Sequence, residues 1–249
     1  MTGLRIARDG DVLRLALARP EKHNALDATL IRELTEAFAG AGDARAVVLT
    51  GDGPSFSAGA DIDEMRAAVD RSVEENLADA RGWRGLLDAV DGCEAPVVAA
   101  VHGNIFGGAC GVLACCDIVV ADPAARFGFS EVRLGIVPAV ISPFVVSRIG
   151  TGAARALFTT GERFGAERAL RIGLVSELED DLGAAVDRVV AALLGAGPKA
   201  ARIAKRIARS PLGADETTQL IAELRSSDEG QEGLRAFVER RRPRWIEPG

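Results

Sequence analysis

The chain has 249 residues, of which 48% are hydrophobic and 27% charged, and its formal net charge is −6. That length and apolar share are enough to bury a large core in one or two domains. The acidic balance speaks against broad nucleic-acid binding, which needs a basic surface that displaces counterions, so any anion site must be local.

The N-terminal stretch MTGLRIARDGDVLRLAL interleaves charges with apolar residues. It predicts two strands, Leu4 to Ala7 and Val12 to Leu17, joined at Asp9-Gly10-Asp11. A secretory leader or a membrane anchor would need a continuous apolar run, so neither is expected. Apolar residues at Leu30, Ile31, Leu34 and Phe38 have helical spacing, which predicts a helix from Asp27, its N-cap, to Phe38.

Three β-rich runs follow, at 46–50, 96–101 and 117–120. Each is expected to leave through a glycine-containing turn into a helix, the pattern of an α/β fold with a largely buried sheet. The first run is followed by GDGPSFSAGAD (51–61) and the second by HGNIFGG (102–108). Between them, 65–91 reads as a mobile loop entering a long helix, with Glu64, Glu74 and Glu75 facing solvent.

From Thr151 the chain turns rich in alanine and leucine, and helices are predicted at 152–159, 166–171, 181–194, 198–208 and 215–237. Gly195-Ala196-Gly197-Pro198 marks the boundary between an α/β core, 1–195, and a C-terminal helical region, 196–249. The latter is too small to fold alone and must pack on the core or on a neighbouring subunit.

Two glycine turns leaving neighbouring strands can aim two backbone N–H groups at one point, and Gly107-Gly108 also opens a helix whose free amides favour negative charge. The structural alternative is that these glycines only permit close strand-to-helix packing. Glu131 stands in FGFSEV (127–132), among apolar and small residues. Desolvation there would raise its pKa toward acid/base use, and a solvated glutamate or a partner of Arg133 is the alternative.

Other chemistries fit poorly. No G-x-S-x-G elbow is present and only His23 and His102 are available to a hydrolase. No glycine-rich turn supplies the lysine of a P-loop, and 103–111 lacks dinucleotide spacing. Cys93, Cys110, Cys115 and Cys116 have neither CxxC pairing nor histidine partners, which suits reduced core thiols in a cytosolic protein and no metal site. Lys199, Arg202, Lys205, Arg206 and Arg209 share one helical face; they read as a solvated face or as a local polyanion site.

Taken together, FSAGADI (56–62), HGNIFGGACGVLACCDI (102–118), FGFSEVRLGIVP (127–138), RPEKHNAL (19–26) and TGERFGAERALRIGLV (160–175) resemble the crotonase (enoyl-CoA hydratase/isomerase) superfamily over nearly the whole chain. The resemblance implies a spiral of ββα turns with a C-terminal helical trimerisation region, commonly assembled as a homotrimer or a homohexamer. It implies an acyl-CoA thioester substrate, with coenzyme A as part of that substrate and no separate cofactor. Ala60 and Gly108 would supply the oxyanion-hole amides and Glu131 the acid/base. Ala25, Ala58, Ala60, Asp61, Ile62, Gly107 and Gly111 would line the coenzyme A and acyl site, Lys22 would approach the phosphates, and Phe237 would reach in from the C-terminal region.

Two-glutamate hydratases of this superfamily carry a second catalytic glutamate where this chain has Gly111. The resemblance therefore leaves three enolate reactions open: hydration of a 2-enoyl-CoA, Δ3,Δ2-isomerisation and decarboxylation, with hydration preferred. A catalytically silent acyl-CoA-binding member is the non-enzymatic alternative. The segment 130–145 is similar to bacterial methylglutaconyl-CoA hydratase-like proteins of branched-chain catabolism, which implies a branched, carboxylated substrate and a basic side chain for its distal carboxylate. The sequence does not identify that side chain.

Overall fold

The computed structural model of the protein describes residues 3–246. Residues 1–2 and 247–249, the outer ends of the two expected regions, lie outside the described residues. Strands β1 (Leu4–Asp9) and β2 (Val12–Leu17) form an antiparallel hairpin. Strands β3 (Ala46–Gly51), β4 (Val97–Val101), β6 (Ile118–Ala121) and β9 (Glu177–Leu178) add in parallel, so the main sheet runs β1-β2-β3-β4-β6-β9. A second sheet joins β5 (Asn104–Phe106), β7 (Arg126–Gly128) and β8 (Arg163–Gly165).

The unbroken apolar runs of β3 and β4 follow from burial on both sheet faces. Val47, Leu49, Val97 and Ala99 point into the main core. Ala46, Val48, Val98 and Ala100 point the other way, onto Val186, Val189 and Val190 of helix α7 (Leu182–Gly195). On the main-core side lie α1 (Ala28–Ala39), α3 (Val73–Gly92), α4 (Gly108–Cys115) and α5 (Ser142–Thr160). Asp27 caps α1 as expected, its carboxylate accepting from the Leu30 amide at 2.8 Å.

Several expectations are corrected. The long helix expected within 65–91 is α3, which starts in a capping box between Ser72 and Glu75, but the loop expected before it begins as a short helix, α2 (Ile62–Ala67). Glu64 is half-buried and paired with Arg71 at 3.3 Å instead of facing solvent. The third β run does not pass into a helix; β6 leads to β7 and then to a 3-10 turn, Glu131–Leu134. The helix expected at 152–159 is the second half of α5, which bends at Gly150 (φ 76, ψ 157).

The last expected helix, 215–237, is two helices, α9 (Ala214–Ser226) and α10 (Asp228–Val238). Ser227 adopts extended backbone (φ −69, ψ 158) and caps α10 by accepting from the Gly230 amide. A Cβ on Gly230 would fall 1.9 Å from the Leu224 carbonyl oxygen, so only glycine lets the two helices meet there.

Helix α7 ends at Gly195 and α8 (Pro198–Arg209) begins three residues later. Three of the five basic side chains on α8 are held by this chain, while Lys199 and Arg206 are exposed. Lys205 pairs with Asp117 at 2.7 Å, Arg202 with Glu94 at 3.0 Å and Arg209 with Asp91. Arg202 also donates to the carbonyls of Gly42 and Ala44. Helix α6 (Ala166–Arg171) closes the second sheet against β9. Among the described residues no helix is long and apolar enough to cross a membrane.

Candidate active site

The two glycine-rich turns press directly on one another. Gly59 has φ +90, and a Cβ there would sit 2.5 Å from the Phe106 carbonyl oxygen; at Gly103 (φ +63) the Cβ would sit 2.1 Å from the Pro54 oxygen. Both contacts require glycine, because any side chain would strike backbone in a conformation that other residues avoid. Buried Asn24 braces the first turn, with Nδ2 donating to the Asp52 and Ser55 carbonyls at 2.8 and 2.9 Å.

Ala60 forms a parallel bridge with Leu26, in which the Leu26 amide donates to Gly59 and the Asp61 amide donates to Leu26. In such a bridge the N–H of the bridged residue itself points away, so the Ala60 amide is turned to the opposite side. Gly108 is the first residue of α4, and its N–H is one of the free donors of that helix start. Both residues line one cavity of about 550 Å³, together with Ala58, Gly107 and Glu131.

Glu131 opens the 3-10 turn after β7 and is half-buried. Its Oε2 is buried without a hydrogen-bond partner, and burial pushes the carboxyl above the ordinary value of 4.5. The other oxygen packs on the start of α4: a Cβ on Gly107 (φ +52) would lie 3.2 Å from Oε1. An unsatisfied, desolvated carboxyl beside two free amides has the chemistry that proton transfer next to a developing anion needs.

Two side chains that the sequence did not single out shape this centre. Trp83 on α3 covers Gly108, with ring atoms 2.3 Å from where a Cβ would be. Ile141, just before α5, fills the space at Gly111: its Cγ2 would be 2.3 Å from a Cβ there. No second side chain can project from position 111 while Ile141 stays. Both are apolar residues thirty or so positions from the glycine they cover, and nothing in the local pattern marks such a pairing.

The remaining expected site residues lie outside the cavity wall. The Lys22 ammonium is held by Asp63 at 2.9 Å and Asp61 at 3.2 Å. Asp61 is buried and caps α2; burial works against its charge, but the Asp63 amide, Lys22 and Arg19 bring its pKa below the usual range. Ala25 is buried, Ile62 is exposed, and Phe237 stands 83% exposed on α10. Burial pushes the Cys110 and Cys116 thiols up to about 12, so at neutral pH they are inert core groups; Cys93 and Cys115 are likewise buried and shifted up.

The model of the enoyl-CoA hydratase/isomerase family matches residues 7–248. The chain belongs to that family. It is 32% identical to the short-chain-enoyl-CoA hydratase of Clostridium acetobutylicum, over 95% of each protein. It is also 32% identical to the cyclohexa-1,5-dienecarbonyl-CoA hydratase of Thauera aromatica, covering 96% of this chain and 95% of that one. The crystal structure of an enoyl-CoA hydratase from Shewanella pealeana superposes with a TM-score of 0.91 at 38% identity, covering 98% of this chain and 96% of that one. The mixed α/β architecture described above is therefore the crotonase fold, and the cavity under Trp83 is its candidate active site.

Proposed function

We propose that this crotonase is an enoyl-CoA hydratase that adds water reversibly to a 2-enoyl-CoA, with Glu131 as its acid/base and the amides of Ala60 and Gly108 as its oxyanion hole. The observation that carries this reading is the Glu131 carboxyl, desolvated and with one oxygen unpartnered, in the same cavity as those two amides. The thioester carbonyl oxygen accepts from Ala60 and Gly108. The Glu131 carboxylate takes a proton from water as the oxygen adds to C3, and the electron pair of the double bond moves into a thioester enolate. The enolate collapses with protonation at C2, by the same carboxyl or by water, and a 3-hydroxyacyl-CoA is formed. Each oxyanion donor is worth about 3–4 kcal/mol in comparable sites. An enolate held by two amides calls on no metal and no redox cofactor.

One observation favours a second reading. Because Ile141 occupies the space at Gly111, the helix after the glycine turn supplies no second carboxyl to share a water with Glu131, and a single carboxyl suffices to move a proton between C2 and C4 of a 3-enoyl-CoA. Such a protein would be a Δ3,Δ2-enoyl-CoA isomerase. A branched acyl group is what the resemblance of 130–145 to branched-chain enzymes suggests. Assembly as a homotrimer or a homohexamer is part of the same proposal, supported by the exposed Leu234, Phe237 and Val238 of α10.

The deciding experiment follows the loss of conjugated enoyl-thioester absorbance with crotonyl-CoA and 3-methylglutaconyl-CoA, for the wild type and Glu131→Gln. Hydration by the wild type and a loss of about 10²-fold or more in the variant support the hydratase. Conversion of a 3-enoyl-CoA without hydration of either substrate replaces it with the isomerase. Binding without any turnover leaves an acyl-CoA-binding protein.

A further inference from the structure

The charges in the wall of the acyl cavity are all of one sign. Among the described residues that line it, the ionisable side chains are Glu64, Asp79 and Glu131, and no lysine, arginine or histidine is present. Apart from the uncharged Asn76 and Ser130, the wall is mostly apolar, with Met65, Trp83, Leu134, Ile136, Val137 and Val140 among its lining. Nearby cations are committed elsewhere: Arg71 to Glu64 at 3.3 Å, Lys22 to Asp63 and Asp61, and Arg84 to Asp88. Arg32 and Arg81 line a neighbouring cavity between α1 and α3, on the far side of Ala28, Ile31, Glu64 and Asp79.

Asp79 lies one helical turn from Trp83 on the face of α3 that borders the cavity. Trp83 marks the level of the Gly108 amide, and Asp79 stands roughly 6 Å nearer the N-terminus of the same helix, in the wall of the same cavity. Burial already pushes the Asp79 carboxyl up, and Glu64 adds to this against the opposing pull of Arg71. A further anion brought into the same space would meet repulsion from Asp79 and Glu64 and would find no cationic side chain in the wall to offset its lost hydration.

Resting on the reading that this cavity receives the acyl part of a coenzyme A thioester, we propose that Asp79, with Glu64, is a specificity-determining element that excludes acyl groups ending in a carboxylate and admits uncharged ones. This departs from the carboxylated substrate that the resemblance of the 130–145 segment suggests. The substrate class is then a neutral straight or branched enoyl-CoA.

The test uses two saturated thioesters of equal chain length, pentanoyl-CoA and glutaryl-CoA, titrated calorimetrically into the full-length protein. The coenzyme A portion is common to both, so the affinity ratio reads the acyl group alone, and no turnover is required. The expected result is tighter binding of pentanoyl-CoA by about tenfold. Asp79→Asn should narrow that ratio by threefold or more, and Asp79→Arg should reverse it. A wild-type ratio under fivefold, or a ratio that neither variant moves, overturns the proposal. Failure of both ligands to bind overturns the acyl-CoA reading and this inference with it, an outcome distinct from equal binding of the two.

Discussion

At the scale of single residues, the Glu131 carboxyl sets stability against function. Its folded-state pKa lies above the ordinary 4.5 because burial penalises the charge. The fold therefore binds the proton more tightly than the unfolded chain, so stability falls as pH rises from the unfolded value through the folded-state value. Glu131→Gln should raise Tm by a few degrees at pH 7, on the order of 1 kcal/mol, and the gain should vanish well below the ordinary value of 4.5, where the wild-type carboxyl is protonated in both states. Calorimetric Tm values at the two pH values check this; equal gains at both would mean that the effect is not electrostatic. The same shift moves the acidic limb of the pH–rate profile above that of an ordinary glutamate, since the carboxylate form is the base. Gly111→Ala is expected to cost about 1–3 kcal/mol through overpacking against Ile141. Ile141→Ala removes the Cγ2 in the way, so a thermodynamic cycle over the two positions should show favourable coupling. Glu131, Ala60 and Gly108 were legible because each sits in a short motif of small residues. Ile141 and Trp83 were not, because their meaning lies in contacts with glycines about thirty positions away.

At the scale of elements, periodicity and burial predicted most of the strands and helices, and their failures have definite causes. Helices α9 and α10 read as one helix because no proline separates them; what breaks them is local, Ser227 in extended backbone capping α10 and Gly230 meeting the Leu224 carbonyl six residues earlier. The second sheet escaped notice because β5, β7 and β8 have three residues each, too few for alternation to register. The basic face of α8 read as solvated because its partners, Glu94, Asp117 and Asp91, lie about a hundred residues earlier. The Lys205 side chain is 7% exposed, and its partner Asp117 also accepts from the Val97 amide at 2.7 Å, at the entry to β4. Lys205→Met leaves that carboxylate without its cation, which should cost about 3 kcal/mol and increase amide exchange across 198–209 before the rest of the chain. Uniform loss of protection would show instead that α8 and the core unfold as one unit.

At the scale of the whole molecule, the C-terminal helices are anchored on one side and bare on the other. Arg45, at the edge of β3, donates to the carbonyls of Trp245 and Ala196 at 2.8 Å, and Glu232 accepts both arms of the Arg241 guanidinium, which with the Arg244 amide holds its pKa near about 2. These contacts fix α10 in one orientation. That orientation turns Phe237, Val238 and Leu234, which share one helical face, outward at 83, 78 and 49% exposure. A row of large apolar side chains on a tethered helix is unfavourable in water and is covered when a second copy of the chain packs on it. The proposed oligomer therefore predicts that Phe237→Asp lowers the mass measured by light scattering from an integral multiple of 26.0 kDa toward the monomer, with the α8 tethers and the fold of the core intact by circular dichroism. Phe237 is also expected to reach the coenzyme A of a neighbouring subunit, so Phe237→Ala should raise KM for the acyl-CoA with kcat little changed, because the side chain would contact the carrier and not the reacting carbons. A wild-type protein that is monomeric at micromolar concentration would remove both effects together, since the exposed face of α10 would then have no neighbour to meet.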